Sequence, residues 1–313
     1  MGQMNNSQAR MVDPVLSSAA KGYSNNSLVG ATLFPTVPVS SRGGKVTQFG
    51  KEAFMLYATG RSPGQNTKRI TFGYDGFSFT LESHSLEGLL PIETMQEADA
   101  VPGIDMGSTT VNGVQDIIAL RLEKQRADVA RDPSKYAASN KVTLSGTAQW
   151  SDYSGVSDPI ADVEKGREAV RKRVGKRPNV GVMGAAVFSA LKQHPKIIER
   201  TKYTGRDVPT AELLASFFDL QKIEVGDAIY ADDAGNFADV WGKDFVLAYV
   251  EIGTVAERGK PSYGYTYQLA GYPQVEESYY ERNVKSWVYP VTDEVAPVMV
   301  GADAGYLITN AVA

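Results

Sequence analysis

The chain has 313 residues, with 36 acidic against 32 basic side chains and a formal net charge of -4. This balance excludes a strongly cationic nucleic-acid binder. A composition of 42% hydrophobic and 22% charged residues excludes global disorder. There is no cysteine and there are 2 histidines, so disulfides and thiolate chemistry are ruled out and a histidine triad or ordinary metalloenzyme is disfavoured.

The length fits one large domain or two modest ones. The start lacks a basic region followed by an apolar run, so no secretory signal is expected. No apolar run approaches the roughly 20 residues needed to span a bilayer. The expected product is soluble and made in a cytoplasm.

Residues 1–45 are rich in Asn, Ser, Gly and Pro, with scattered apolar anchors, and read as an arm rather than a core. Pro35 and Pro38 hold Thr36-Val37 extended. The arm is either a frayed terminus or a segment ordered against other subunits. Residues 46–85 read as a long β-hairpin, with strands near 46–56 and 69–81 and a polar Gly/Pro-rich tip at 59–68. A two-stranded ribbon is marginal alone, so it lies on its own domain or on a neighbour.

The spacing of Val111, Val114, Ile117, Ile118, Leu122 and Val129 predicts a helix over 107–133. Ser108-Thr109-Thr110 offers its cap and Asp132-Pro133 its stop. Its length is about 35 Å at 1.5 Å per residue. Glu123, Lys124, Arg126, Asp128 and Arg131 form its expected solvent face.

Residues 134–157 return to β and turn character. An α/β unit follows over 158–253, with helices at 160–174, 185–192, 195–200 and 210–218 and strands at 179–183, 223–225 and 228–230. Asp232 to Asn236 is a hairpin turn, and 239–252 holds a further strand or two. Residues 254–293 are extended and Tyr-rich. The alternation Tyr263-Gly264-Tyr265-Thr266-Tyr267 predicts a half-buried strand. The apolar tail from Ala296 is expected to dock as a strand or strand pair.

Catalytic signatures are missing. No phosphate-loop, dinucleotide or Gly-x-Ser-x-Gly pattern occurs. Ser18-x-x-Lys21 has no companion motif, and His84 and His194 lie far apart. Asp227, Asp232, Asp233, Asn236 and Asp239 lack calcium-loop spacing and read as a solvated turn. Arg167, Arg171, Lys172, Arg173, Lys176 and Arg177 form the one basic block. It is either a solvated helix face or a contact for a polyanion or acidic neighbour.

The order of elements is distinctive: extended arm, long hairpin, long helix, compact α/β unit, return strands, apolar tail. Three phrases add to it: Val180-Gly-Val-Met-Gly184 leading through Val187-Phe-Ser-Ala-Leu191 to His194-Pro-Lys-Ile-Ile-Glu-Arg200, then Asp239-Val-Trp-Gly-Lys-Asp-Phe245, and finally Ala296-Pro-Val-Met-Val-Gly-Ala-Asp303. Together they resemble the major capsid proteins of tailed bacteriophages with the HK97-type fold, in the group that includes the lambda major head protein.

The resemblance implies an α+β capsid fold with 1–45 as N-arm and 46–85 as E-loop. Residues 86–154 with 254–290 would be a peripheral P-domain with a spine helix. Residues 155–253 with 291–313 would be an axial A-domain. It implies a structural shell subunit that assembles with itself, as hexamers and pentamers, into an icosahedral virion made in the bacterial cytoplasm. The shell would hold double-stranded DNA through weak non-specific contacts. Portal, scaffold and decoration proteins are further implied partners; no membrane, cofactor, metal or catalytic residue is implied. Expected interface residues are Phe54, Leu56, Arg61, Lys68, Ile70 and Phe72 in the E-loop, and Leu28, Leu33 and Phe34 in the arm. Nothing marks Lys51 or Lys68 for the crosslinking known in some relatives. An encapsulin-type compartment with protein cargo and a soluble α/β enzyme are the alternatives.

Overall fold

A computed structural model of the chain describes residues 28–47, 60, 66, 69, 76–99, 105–202, 209–251 and 262–313. The expected E-loop contacts Phe54, Leu56, Arg61, Lys68, Ile70 and Phe72 lie outside the described residues. Two larger sheets and one long helix organise the rest.

The first sheet has five strands in the order β5-β15-β10-β6-β7: Lys141–Thr143, Gly305–Thr309, Phe245–Ala248, Val180–Gly184 and Lys222–Gly226. Strand alternation sorts its side chains to two faces. Phe245, Leu247, Met183, Tyr306 and Ile308 enter one core with Trp150 and Leu191. Val246, Ala248, Val180, Val182 and Leu307 enter a second core with Phe34, Trp241 and Tyr263.

Helices α3 (Pro159–Val174), α4 (Ala185–Gln193), α5 (Pro195–Thr201) and α6 (Ala211–Phe217) accompany this sheet, and all four were expected. Asp158 caps α3 by accepting the Ala161 N–H at 3.0 Å. Gly175 ends it in the left-handed region at φ 71°, where a side chain would be strained.

The second sheet has six strands built on β14 (Ser286–Met299). Strand β4 (Glu82–Pro91) runs antiparallel along one edge of β14. Along the other edge lie β13 (Tyr279–Glu281), β12 (Gln274–Val275) and β11 (Gly264–Leu269). Strand β1 (Thr36–Val39) adds to β11 in parallel. A separate ribbon pairs β2 (Gly43–Thr47) with β3 (Gly76–Thr80), and another pairs β8 (Ile229–Ala231) with β9 (Phe237–Asp239).

Two helices follow β4: α1 (Ile92–Asp99) and then α2 (Met106–Arg131), 26 residues long or about 39 Å. Helix α2 packs on the second sheet through Val111 and Val114, against Val275 and Val291. Gly88 makes the close approach possible: a Cβ there would sit 2.5 Å from Thr110 Cγ2 and 2.9 Å from Val114 Cγ2.

Several expectations change. The cap of α2 is Asp105, whose carboxylate accepts the Ser108 N–H, rather than the Ser-Thr-Thr run. Ile117 is 59% exposed, whereas Glu123 and Arg126, expected in solvent, are buried. The Tyr-rich strand β11 is buried on both faces, not one, because Tyr265 and Tyr267 join one cluster while Gly264 and Thr266 face Phe34.

The arm is also part of the core from Val29 onward. Leu33 and Phe34, expected at a subunit interface, are fully buried inside their own chain, and Leu28 is half-buried. The hairpin root begins at Gly43, earlier than expected. The expected boundary at 290/291 falls inside β14, and β5 with Trp150 belongs with the five-stranded sheet rather than with the spine helix.

Candidate assembly surfaces

Glu123 is the centre of a buried junction. Its carboxylate accepts the backbone N–H groups of Val29 at 3.0 Å and Gly30 at 2.9 Å, and the indole N–H of Trp241 at 2.8 Å. Arg126, one turn on, donates from Nε to Thr266 Oγ1 at 3.0 Å. Thr266 Oγ1 in turn donates to the Phe34 carbonyl at 3.0 Å. Burial lowers the Arg126 pKa, and the nearby carboxylates of Glu123 and Asp293 oppose that shift. The arm, the long helix and both sheets are thereby locked into one body.

A second clamp holds the hairpin root. Arg42 donates to Glu294 in a fork, Nε to Oε2 at 2.6 Å and Nη2 to Oε1 at 2.8 Å. These bonds raise the Arg42 pKa. Phe79 on β3 stacks on Tyr267 with ring centroids 4.3 Å apart. A third clamp joins the end of α2 to the five-stranded sheet, where Arg131 Nε donates to Asp244 at 2.6 Å and Nη1 to the Val240 carbonyl at 2.9 Å.

The basic block lies on α3 and just beyond it, and most of it is neutralised within the chain. Arg167 donates to Glu164 at 2.5 Å and also to Asp219. Arg171 forks onto Glu168 at 2.5 and 2.7 Å and pulls that carboxyl down to about 2. Arg173 lies 3.7 Å from Asp303 and Arg177 lies 3.9 Å from Asp219. The six cations of the block stand against four carboxylates, Glu164, Glu168, Asp219 and Asp303, so only a small positive excess is left for a polyanion.

No catalytic arrangement emerges among the described residues, and no three His, Cys, Asp or Glu side chains there cluster to hold a metal. His194 is a structural residue: Nε2 meets Ser157 Oγ at 2.9 Å, and Nδ1 accepts the Lys196 N–H at 3.3 Å. Burial pushes its pKa below the usual value. Among the described residues no helix is long and apolar enough to cross a membrane.

What the surface does offer is exposed apolar side chains on firm supports. Leu89 on β4, with Tyr279 and Val284 near β13, marks one end of the second sheet. Ile229 and Phe237 mark the β8–β9 ribbon, and Tyr153, Val156 and Ile198 the region around α5. The composition of the sequence hinted at such surfaces, but positions 229 and 237 carry no local signal beyond their place in a hairpin.

Among the described residues, two buried cores and their clamps hold exposed apolar patches in fixed positions, a surface suited to association. The model of the phage major capsid protein E family matches residues 135–306. A curated major capsid protein of Burkholderia phage BcepMu is 38% identical over 99% of both chains. The chain belongs to the phage major capsid protein E family.

The solved structure of a phage-related protein from Bordetella bronchiseptica is 46% identical, with a TM-score of 0.83 over 97% of this chain and 99% of that one. The mature capsid subunit of bacteriophage PhiM1 shares the fold at 12% identity, with a TM-score of 0.54 over 92% of this chain and 88% of its own. The fold is of the HK97 type, and the protein is a phage major capsid protein.

Proposed function

We propose that this chain assembles with itself, as hexamers and pentamers, into an icosahedral phage head that encloses double-stranded DNA. The observation that carries the proposal is full-length similarity to a phage major capsid protein, combined with exposed apolar patches on a rigidly clamped body. The protein performs no catalysis and is a component of the virion, made in the bacterial cytoplasm. Portal, scaffold and decoration proteins would be its other partners.

In this proposal the N-arm runs only to residue 28. The E-loop is a ribbon rooted at β2 and β3. The P-domain is the second sheet with α2, including all of β14. The A-domain is the five-stranded sheet with α3 to α6, including β5. The E-loop residues Phe54, Leu56, Arg61, Lys68, Ile70 and Phe72 would meet neighbouring subunits. DNA contact would be weak because the α3 cations are already paired. Identity to a phage capsid protein over nearly the whole chain favours a virion over an encapsulin-type compartment.

The test is expression of the chain followed by sedimentation and electron cryomicroscopy. Closed icosahedral particles support the proposal. A monomer at all concentrations, or shells filled with a single cargo protein in infected cells, would refute it.

A further inference from the structure

The β8–β9 ribbon combines a rigid base with an exposed apolar face. Its base is pinned twice. A Cβ on Gly226 would lie 2.0 Å from Trp241 Cδ1, so the chain enters the ribbon pressed against that indole. The Val240 N–H donates to the Ala228 carbonyl at 2.9 Å where the chain leaves. The tip is fixed by Asp232, whose Oδ1 accepts from the N–H groups of Ala234 at 2.9 Å and Asn236 at 2.8 Å.

Pairing register separates the two faces. Tyr230 packs against the second core with Lys124 Nζ 5.0 Å from its ring centroid. Ile229 and Phe237 point the other way, 51% and 75% exposed. A short ribbon so firmly held is preorganised, and little ordering cost remains when it binds.

Charge then selects the occupant. The segment 227–239 holds Asp227, Asp232, Asp233 and Asp239 and no basic side chain. Two such ribbons facing each other would oppose like charges, which disfavours a two-fold contact. The complementary surface lies on the same chain, at the corner of α4 and α5. There Ile198 and Tyr153 are exposed, and Lys202 follows Ile198 one turn on along the same side of α5. Lys202 carries no carboxylate partner within 4 Å among the described residues, although the exposed Glu199 shares that turn.

We propose that the outward face of the β8–β9 ribbon docks on the α4–α5 corner of a second copy of this chain, Phe237 against Ile198 and Tyr153, with Asp232 and Asp233 toward Lys202. A contact between two different patches is heterologous, and repeated with rotation it closes a ring. The proposal rests on the capsid function proposed above.

The test places a photo-crosslinking amino acid at position 237 in assembled particles and identifies the product by mass spectrometry. Crosslinks between copies, landing in 150–157 or 192–202, are the expected result. Crosslinks confined to one chain, or reaching another region of the neighbour, overturn the proposal. In parallel, Phe237→Ser should leave the subunit melting as wild type while particle yield falls about tenfold or more, as for an aromatic anchor. Normal particle yield from that variant also overturns it, including when a different protein is lost from the particle. If Phe237→Ser fails to fold, the crosslink decides alone. A wild-type chain that never assembles counts instead against the capsid proposal, and this one falls with it.

Discussion

The indole N–H of Trp241 donates to the Glu123 carboxylate across 118 positions of sequence, at 2.8 Å. The same carboxylate takes the N–H groups of Val29 and Gly30, so one buried side chain ties the arm, the long helix and the segment leading into β10 together. Removing a partner from a buried charged network leaves the remaining groups unsatisfied. Glu123→Ala would orphan three donors and remove one of the two carboxylates whose charge favours protonated Arg126 in its buried site. The expected loss is about 3–5 kcal/mol of subunit stability, read from urea unfolding of the unassembled subunit. A loss below about 1 kcal/mol, the scale of an exposed ion pair, would show that the junction is not structural.

Glu123 also marks where sequence stops being legible. Helix α2 was readable from its apolar spacing and its Asp-Pro stop. Its orientation was not, because Glu123 and Arg126 look like surface residues until the arm is placed over them. The arm escapes sequence reading for the same reason: Leu33 and Phe34 stand in a polar, proline-rich stretch, and Phe34 finds its place only against Gly264 of β11. Strand β14 runs through the expected boundary at 290/291, and Pro290 and Pro297 within it are residues that by themselves argue against a central strand. Helices α3, α5 and α6 are legible because each has a side-chain cap or a proline start, whereas α4 has neither and shows only Val187, Ala190 and Leu191 at helical spacing.

Gly88 should resist substitution. Its missing side chain lets α2 sit against β4, with Thr110 Cγ2 at 2.5 Å from a would-be Cβ. Gly88→Ala must push the helix away or distort β4, and overpacking of this kind costs about 1–3 kcal/mol. Thermal melting of the free subunit measures it. An unchanged midpoint would mean that the helix rides higher on the sheet than the structure shows.

His194 gives the subunit an acid-sensitive corner. Its folded pKa lies below its unfolded value, so the unfolded chain binds the proton more readily. Stability is therefore greatest above the unfolded pKa of about 6.5. It falls as pH drops below that value toward the lower folded one. Protonation would also convert Nδ1, which accepts from Lys196, into a donor. His194→Gln should flatten the pH dependence of the melting temperature between pH 7 and pH 5. A variant that keeps the wild-type slope would place the sensitivity elsewhere.

DNA affinity of the free subunit should be weak and should disappear with salt. Arg167, Arg171, Arg173 and Arg177 all face carboxylates of their own chain, so few cations remain to displace counterions from phosphates. Fluorescence anisotropy with unrelated duplexes should give equal, weak binding at low salt and none near physiological ionic strength. Tight binding that survives salt, or preference for one sequence, would contradict the weak-contact proposal.

The last expectation concerns the hairpin whose root is β2 and β3. That root is held to its own subunit by the Arg42–Glu294 fork and by the Phe79–Tyr267 stack, both at the base of the ribbon. The Leu81 N–H also donates to the Arg42 carbonyl at 2.8 Å. Among the described residues, the core on one face of the five-stranded sheet is filled from 142 onward, and the core on its other face draws Val29, Leu33 and Phe34 from the arm and the rest from Leu120 onward. The segment 59–68 is polar and rich in Gly and Pro, with no apolar staple to bind it to its own body. A shell, by contrast, repeats each weak contact many times, and linked contacts multiply in effect. Replacing 48–75 by a short turn should therefore yield a subunit with native circular dichroism and melting behaviour that forms no closed particle. Sedimentation velocity and electron micrographs of the variant decide it. Intact shells would remove the hairpin from the assembly machinery, and loss of the folded state would make it part of the core.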